Sequence, residues 1–556
     1  MIQPTNCNDT PLNSLLFKFW GRSVSRTGLQ QLEKAFVHII TTGKKRGLSG
    51  KKLSKENAQE SNCNVLIHDL ETLAISSERD GILTKVSLGM VQILDQIQPD
   101  ILIYVRELEI DAIRGIKAAM MAPQRDGGVT EIVIPLKEVE YLMWLADLPI
   151  EALKHWNTPK IQLQVITQDR PDSLARLIRS LNSSYYFGDS TPLTINMDRK
   201  ADPVTIEYCK TLRWNNGRKN VRHRIVQGGL MAAVVESYYP VDDNDYAILL
   251  EDDVELSPFY YSWTKYSILK YRYGTNRTLV GRMYGVSLYS TRVSELHLTG
   301  RQPFNPSSSF EGTNYPSYSP YLGQVPCSWG AAFFPEVWRE FHRYFIARLE
   351  DWNGLRVQNI TVPESRSNKW SNSWKRFFIE LVYLRGYVML YPNYEKFQSL
   401  STNHAEVGAH IHFSNKKSHV NDIFHVPLMK KNDLLRGLPG GKLPEYSDLP
   451  TMDLLGNLVP GGELVQRGRS LHHEISQCPP GEYDEPIYDP QDLLCIDEEA
   501  RQAAMNSRLR KEVKKSRLTA AVQLLVKSRG NVTDDQLLEL LNNTLRIYHG
   551  DENLPR

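Results

Sequence analysis

The stretch YAILLEDDVELSP, residues 246–258, constrains the fold more than any other part of the chain. Its apolar run, Ala247 to Leu250, stops abruptly at three acids, Glu251, Asp252 and Asp253. Ser257 and Pro258 follow, a hydroxyl cap and then a proline at the first helical position, which predicts the start of a helix. The pattern predicts a buried strand that hands three carboxylates to the rim of a sheet. In open α/β sheets the ligand crevice lies outside the carboxyl ends of the strands. Hard oxygen ligands there suit Mg²⁺ or Mn²⁺, which take few carboxylates and leave positions free for substrate phosphates. An isolated EDD would be a solvated acidic turn. The strand before it and the capped helix after it argue for a site.

Other segments extend the pattern. The strand IQLQVITQDRP (161–171) precedes DSLARLIRSL, whose leucines recur at helical spacing. LTINMDRKAD (193–202) is a second strand, ending in Asp198, and VRHRIVQGGLMAAVVESYYP leads into the acidic strand. Further on come VPCSWGAAFFPEVWREFHRYF (325–345) and ARLEDW (347–352). Across roughly 160–415 these blocks resemble glycosyltransferases of the GT-A fold, in particular a fungal and plant group that is glycosyltransferase-family-two-like. The CSWG segment is similar to the part of N-acetylglucosaminyltransferase I-like enzymes that lies under the acceptor.

The resemblance implies an α/β fold: a GT-A mixed sheet flanked by helices, with a small N-terminal α/β domain and a helical C-terminal extension. It implies a metal-dependent transferase that moves a hexosyl or N-acetylhexosaminyl group, with inversion, from a UDP- or GDP-sugar to a hydroxyl acceptor. That acceptor would belong to a glycan, glycolipid or glycoprotein. The cofactor would be Mn²⁺ or Mg²⁺, with Asp253 as direct ligand. Strand alternation points Glu251 to the same side as Asp253, leaving Asp252 for ribose or sugar hydroxyls. His404, His410 and His412, in SLSTNHAEVGAHIHF, stand where enzymes of this fold add a histidine to the metal or diphosphate, His404 or His410 being preferred. Thr167, Arg170 and Asp198 fall at strand ends where a base and ribose would be gripped. His223 and Gly229 match a turn that approaches the nucleotide, and a glycine lets the backbone come close. For the general base, Asp351 is the first choice, with Glu350 beside it and Glu380 in WKRFFIELVYLRGY as rival.

Length and charge set the remaining bounds. A chain of 556 residues supports two or three domains. The net charge of +2 implies no polyanionic partner such as nucleic acid. Residues 1–60 are polar and basic and read as a disordered lead. Residues 61–157 alternate strand and helix (NVLIHD, DILIYV, AIRGIKAAMM, TEIVIPL, EVEYLMWLADL), which predicts an accessory α/β domain. The transferase domain is expected at 158–415 and a loop-rich, then helical, extension at 416–556. The Pro- and Tyr-rich stretch 301–326 reads as a functional loop whose aromatics Phe304, Phe310, Tyr315, Tyr318 and Tyr321 suit stacking on sugar rings. Cys478 and Cys495 are open to pairing or to remaining two free thiols. No run approaches the ~20 apolar residues of a membrane span. The family implies the secretory pathway or Golgi, whereas this sequence, without a visible signal or anchor, implies a cytoplasmic protein or a truncated chain. Two further functions remain open: a catalytically silent relative that binds glycan or a partner, and a nucleotidyltransferase. The second normally needs a Gly-rich basic loop that VITQDRPDS lacks.

Overall fold

The structure, a computed structural model, describes residues 2–3, 37–41, 65–69, 85–108, 110–121, 128–274, 281–349, 357, 359–404, 406, 424–478, 488–495 and 499. The chain divides into two compact units. The larger comprises 1–342, 361–471 and 483–488, and its described residues form two large sheets and two two-stranded ribbons.

The first sheet is parallel and five-stranded: β1 (Ile2–Gln3), β2 (Val37–Thr41), β3 (Val65–Asp69), β4 (Ile101–Val105) and β5 (Thr130–Ile134), in the order β3-β2-β1-β4-β5. Its first two strands lie within residues 1–60, the stretch expected to be an unstructured lead. Helices Lys85–Ile97 and Ile110–Met120 pack closely on each other, because Gly115 has no Cβ to meet the Ser87 carbonyl. The expected helix EVEYLMWLADL is instead two 3₁₀ helices, Leu136–Tyr141 and Met143–Asp147. The apolar spacing explains the difference. Val139, Leu142, Leu145 and Leu148 recur every third residue and are all buried, and three residues per turn put such a series on one face.

The second sheet has ten strands. Four are parallel neighbours: β6 (Lys160–Thr167), β7 (Leu193–Met197), β8 (Lys219–His223) and β9 (Asp245–Glu251). A short β10 (Val254–Leu256) leaves the sheet, which continues with β11 (Met283–Ser287). A separate ribbon pairs β12 (Val293–Ser294) with β13 (Gln302–Pro303). The large sheet is completed by β14 (Tyr321–Gly323), β15 (Ala331–Phe333) and β16 (Val388–Tyr391), then, beyond β17 (Ser401–Asn403), by β18 (Thr451–Met452) and β19 (Leu458–Val459). The order is β19-β18-β14-β16-β11-β15-β9-β6-β7-β8, with β15 antiparallel to both its neighbours. This is the mixed α/β sheet flanked by helices that the sequence predicts. Its last two strands come from beyond residue 415.

Helix Pro171–Asn182 starts on a proline and buries Leu174, Leu177, Ile178 and Leu181, the one-sided spacing of an amphipathic helix. Ser257 and Pro258 make a turn rather than the first helical residues. The helix begins at Tyr260, and Ser257 Oγ accepts the N–H of Phe259. That helix, Tyr260–Arg272, is buried nearly all round. Its Lys265 is 1% exposed, paired with Asp189 and placed 3.6 Å from the centre of the Trp156 ring. The stretch 301–326 is more regular than expected. It supplies β13, a short helix Pro306–Ser309 and β14, and it buries Phe310 and Tyr321.

The smaller unit comprises 343–360, 472–482 and 489–556. Cys478 and Cys495 are disulfide-bonded within it. No helix among the described residues is long and apolar enough to cross a membrane.

Gly285 lies in β11 between β15 and β16, where an added Cβ would sit 2.4 Å from the Ala332 carbonyl oxygen. Gly285→Ala is therefore expected to lower stability by about 1–3 kcal/mol, the usual cost of overpacking, measurable by urea denaturation.

Candidate active site

The chain runs outward from β6 through β7 to β8, then returns to the opposite side of β6 to form β9. Such a reversal opens a crevice outside the carboxyl ends of the two strands where it occurs. Register sets which residues meet there. Ile166 is level with Glu251, and Thr167, Met197 and His223 are level across three strands. Thr167, Arg170, Asp198, His223 and the acid triplet therefore all lie along one edge.

Within the triplet the three carboxylates differ. Asp252 is completely buried. Thr167 Oγ1 donates to its Oδ2 at 2.7 Å, and an Arg170 nitrogen stands 2.5 Å from its Oδ1. The expectation that Asp252 faces ribose or sugar hydroxyls is not met, because its side chain is turned inward against β6. Asp253 is half-buried, with Oδ2 3.5 Å from Arg170. Its Oδ1 is buried and has no hydrogen-bond partner. Burial, reinforced by the charges of Asp253 and Asp252, pushes the Glu251 carboxyl up to about 8. Burial likewise pushes Asp252 up to about 6, against the pull of Arg170 and Thr167. Arg170 is the counter-charge: burial alone would weaken its proton affinity, but the acids around it raise it.

The second group gathers around Asp198. Its Oδ1 accepts the N–H of Arg199 at 2.5 Å and its Oδ2 that of Gly229 at 3.2 Å. Gly229 has φ +65°, and no atom lies within 4 Å of where a Cβ would stand. The left-handed backbone, rather than crowding, is what favours glycine there. His223 is exposed, its Nε2 3.4 Å from the Arg199 carbonyl oxygen.

The histidine and base candidates stand differently. The His404 backbone N–H bonds the Asp253 carbonyl, but its ring turns to Glu255, Nε2 to Oε2 at 2.7 Å. His404 therefore does not join Glu251 and Asp253, and among the described residues no three His, Cys, Asp or Glu side chains gather as a metal cluster. Glu380 is buried inside helix Trp374–Arg385, its Oε1 3.3 Å from Arg376 Nε. Glu350, Asp351, His410 and His412 lie outside the described residues. In the sequence nothing distinguishes Glu255, Glu295 and Lys375 from surface charges.

Does the set fit a divalent cation? Asp253 Oδ1 is a hard oxygen left without a hydrogen-bond partner, and Glu251 adds a second carboxyl at the end of the same strand. Mg²⁺ is commonly held by one or two carboxylates plus substrate phosphates. Asp253 and Glu251 fit that donor set, with the remaining positions supplied by a ligand.

Two family models match the chain. One, described as the SPBC1E8.03c N-terminal domain, matches residues 27–156, and the other, the SPBC1E8.03c C-terminal domain, matches 172–298. No curated protein matches the sequence. Among solved structures, S. aureus TarS 1–349 is similar at 11% identity and TM-score 0.26, over 42% of this chain and 58% of that one. GalNAc-T7, solved with UDP, GalNAc and Mn²⁺, is similar at 14% identity and TM-score 0.28, over 44% of each chain. The mannosyltransferase PcManGT from Pyrobaculum calidifontis, in complex with GDP-Man and Mn²⁺, is similar at 10% identity and TM-score 0.23, over 43% of this chain and 58% of that one. The chain thus spans well under two thirds of the TarS fragment and of the mannosyltransferase. Scores of this size say nothing of the site, which stands on its own geometry.

Arg170→Met would leave Asp252 buried without its counter-charge. The expected loss is on the order of 2–3 kcal/mol, below the ~3–5 of a fully buried pair because Arg170 keeps some solvent contact. Adding Asp252→Asn should return part of that loss, since the buried charge is then gone. Urea denaturation of the four proteins measures both. Absence of any recovery would mean that Arg170 acts through packing alone.

Proposed function

We propose that this chain is a metal-dependent glycosyltransferase that moves a sugar from a UDP- or GDP-sugar to a hydroxyl of a glycan, glycolipid or glycoprotein, with inversion. The observation that carries the reading is the acid triplet at the reversal between β6 and β9, where one carboxylate is locked inward and the next keeps an unpartnered oxygen.

In this reading Asp253 and Glu251 hold the cation, which when bound neutralises charge on the departing diphosphate as a Lewis acid. Asp252 orients Thr167 and Arg170 rather than touching ligand. Arg170, freed in part from Asp253, takes a phosphate or the base side of the nucleotide. Asp198 holds the Arg199 and Gly229 backbones, which shape the ribose end, and His223 borders it. Two of the proposed ligands, His404 and His410, stand apart from this: His404 is engaged by Glu255, and His410 rests on its sequence position. Asp351 is the proposed base, with Glu350 beside it. Glu380, the rival, is buried and paired with Arg376, which leaves it poorly placed to meet an acceptor hydroxyl.

Titration calorimetry should show UDP or GDP binding with Mn²⁺ that EDTA abolishes and that Asp253→Asn weakens by about tenfold or more, the loss of one charge-assisted contact. Unchanged affinity in the variant would refute the proposed metal site. Once a donor is found by a hydrolysis screen, Asp351→Asn should lower kcat on the order of 10²–10⁴-fold, the usual contribution of a general base, and Glu380→Gln far less. The opposite ranking would transfer the role to Glu380.

A further inference from the structure

The large sheet ends in an open edge. β8 is its last strand, paired with β7 on one side and with no strand among the described residues on the other. Positive charge is concentrated there. From Arg199 to Arg224 the chain carries eight Lys and Arg against two acids, Asp202 and Glu207, whereas the whole chain balances 66 against 64.

Three of the eight cations are engaged within the fold. Lys219 donates to the Cys209, Lys210 and Leu212 carbonyls at the end of helix Pro203–Thr211. Arg222 donates to the Ser237 carbonyl at 3.0 Å, and Arg224 pairs with Glu236 at 2.8 Å. The other five, Arg199, Lys200, Lys210, Arg213 and Arg218, are exposed, and no carboxylate among the described residues pairs with them. Of the two acids, Asp202 is occupied in capping that helix, where it accepts the N–H groups of Val204 and Thr205. Lys210, Arg213 and Arg218 precede β8, whereas Arg199 lies level with its end, beside His223. The charge therefore runs the length of the strand, about 17 Å for five residues.

Aliphatic side chains stand beside it. Ile225 is 88% exposed and Val226 65%, in the short loop between β8 and helix Gly229–Val235. That loop is tied down at both ends. The Arg224 N–H bonds the Met197 carbonyl at 3.0 Å, and the Gly229 N–H bonds Asp198. The Arg224 guanidinium also lies against Gly228, where a Cβ would come within 2.8 Å of it. Two aliphatic side chains are thus held out toward solvent by a fixed backbone. Val204, exposed in the first turn of helix Pro203–Thr211, follows the carboxyl end of β7 as Ile225 follows that of β8.

Charge on an open edge often serves only to keep other strands away, and exposed aliphatics work against that purpose. They also discriminate among polyanions. Single-stranded nucleic acid is gripped by cations together with aromatic rings on which bases stack, and the exposed apolar residues here are aliphatic. An anionic bilayer offers negative headgroups at its surface and hydrocarbon just beneath, which matches cations with aliphatic side chains projecting among them. We propose that this edge attaches the protein peripherally to a membrane surface rich in anionic lipid, with the five free cations among the headgroups and Ile225 and Val226 inserted below them. The crevice begins at β6, two strand spacings or roughly 10 Å inward, so attachment leaves it beside the bilayer. The attachment does not depend on the glycosyltransferase reading.

The test sediments the full chain with vesicles of phosphatidylcholine alone and of phosphatidylcholine mixed with phosphatidylserine. Binding is expected only to the mixture and should fall as salt is raised. Arg213→Ser with Arg218→Ser should weaken it by about tenfold or more, since each cation near an anionic surface contributes roughly fivefold. Ile225→Ser with Val226→Ser should weaken it by about tenfold through lost apolar insertion. Lys396→Ser with Arg436→Ser removes the same charge from side chains 83% and 85% exposed on other elements, and should change binding little. Circular dichroism and thermal melts establish that each variant is folded. Failure to bind the mixture overturns the proposal, as does equal weakening by the control pair. Indifference to the aliphatic pair would make the edge a general polyanion site, and indifference to the charge pair would place binding elsewhere, as in the basic stretch 44–56; either result overturns it. Loss of vesicle binding on adding UDP or GDP with Mn²⁺ would assign the 225–227 loop to the nucleotide and overturn it too. Vesicle binding that survives in Asp253→Asn upholds the attachment whether or not the chain transfers sugar.

Discussion

Like charge gathered at one strand end is the constraint around which the site is organised. Glu251, Asp252 and Asp253 are consecutive, and two unit charges 4 Å apart at an effective dielectric of 20 repel by about 4 kcal/mol. The fold answers with one guanidinium. Arg170, at the turn between β6 and its helix, reaches Asp252 and Asp253 together, and Thr167 satisfies the oxygen of Asp252 farther from it. Asp252 is thereby drawn inside while Asp253 is left at the rim. The inward turn of Asp252 and the looser 3.5 Å contact of Asp253 follow from how that guanidinium is shared, while burial, more than the neighbouring acids, raises the proton affinity of Glu251.

This sharing depends on β6 and β9 being neighbours. They are separated by β7, β8 and their helices in sequence, yet pair from Lys160 with Asp245 to Ile166 with Glu251. A slip of one residue would exchange the faces of the whole strand, placing Asp252 outward and its neighbours against Thr167. Register here is held by burial on both faces of the strand, since Tyr246, Ile248 and Leu250 are core residues on one side and Ala247 and Leu249 on the other. The chemistry at the strand end is therefore anchored by apolar packing along its length.

Downstream, the β10–β17 ribbon carries that order further. Val254 pairs with Asn403 and Leu256 with Ser401, which places the His404 backbone against Asp253 and couples the Trp329 turn to the same ribbon. One short antiparallel pair thus joins the acid triplet to elements more than 70 residues away in either case. It also explains the orientation of His404. Glu255 projects from the ribbon toward its ring, so the nearest carboxylate to the imidazole is not one of the triplet.

Sequence alone determined what local physics governs: the strand that ends at Glu251, the helix that follows β6, the strands that end at Thr167 and just before Asp198, and strands β3, β4 and β5 of the first sheet with the helices between them. Apolar period, proline position and the placement of acids are properties of neighbouring residues, so they are visible in one dimension. The 3₁₀ segments at 136–147 were legible in principle, since their period of three was present, but the same residues also satisfy a helical count. Only the tertiary structure decided which carboxylate turns inward, that His404 meets Glu255, and that Glu295 and Lys375, 80 residues apart, form a buried pair. Those outcomes depend on desolvation and on the nearest opposite charge, and both are set by which distant strands become neighbours rather than by anything a segment carries within itself.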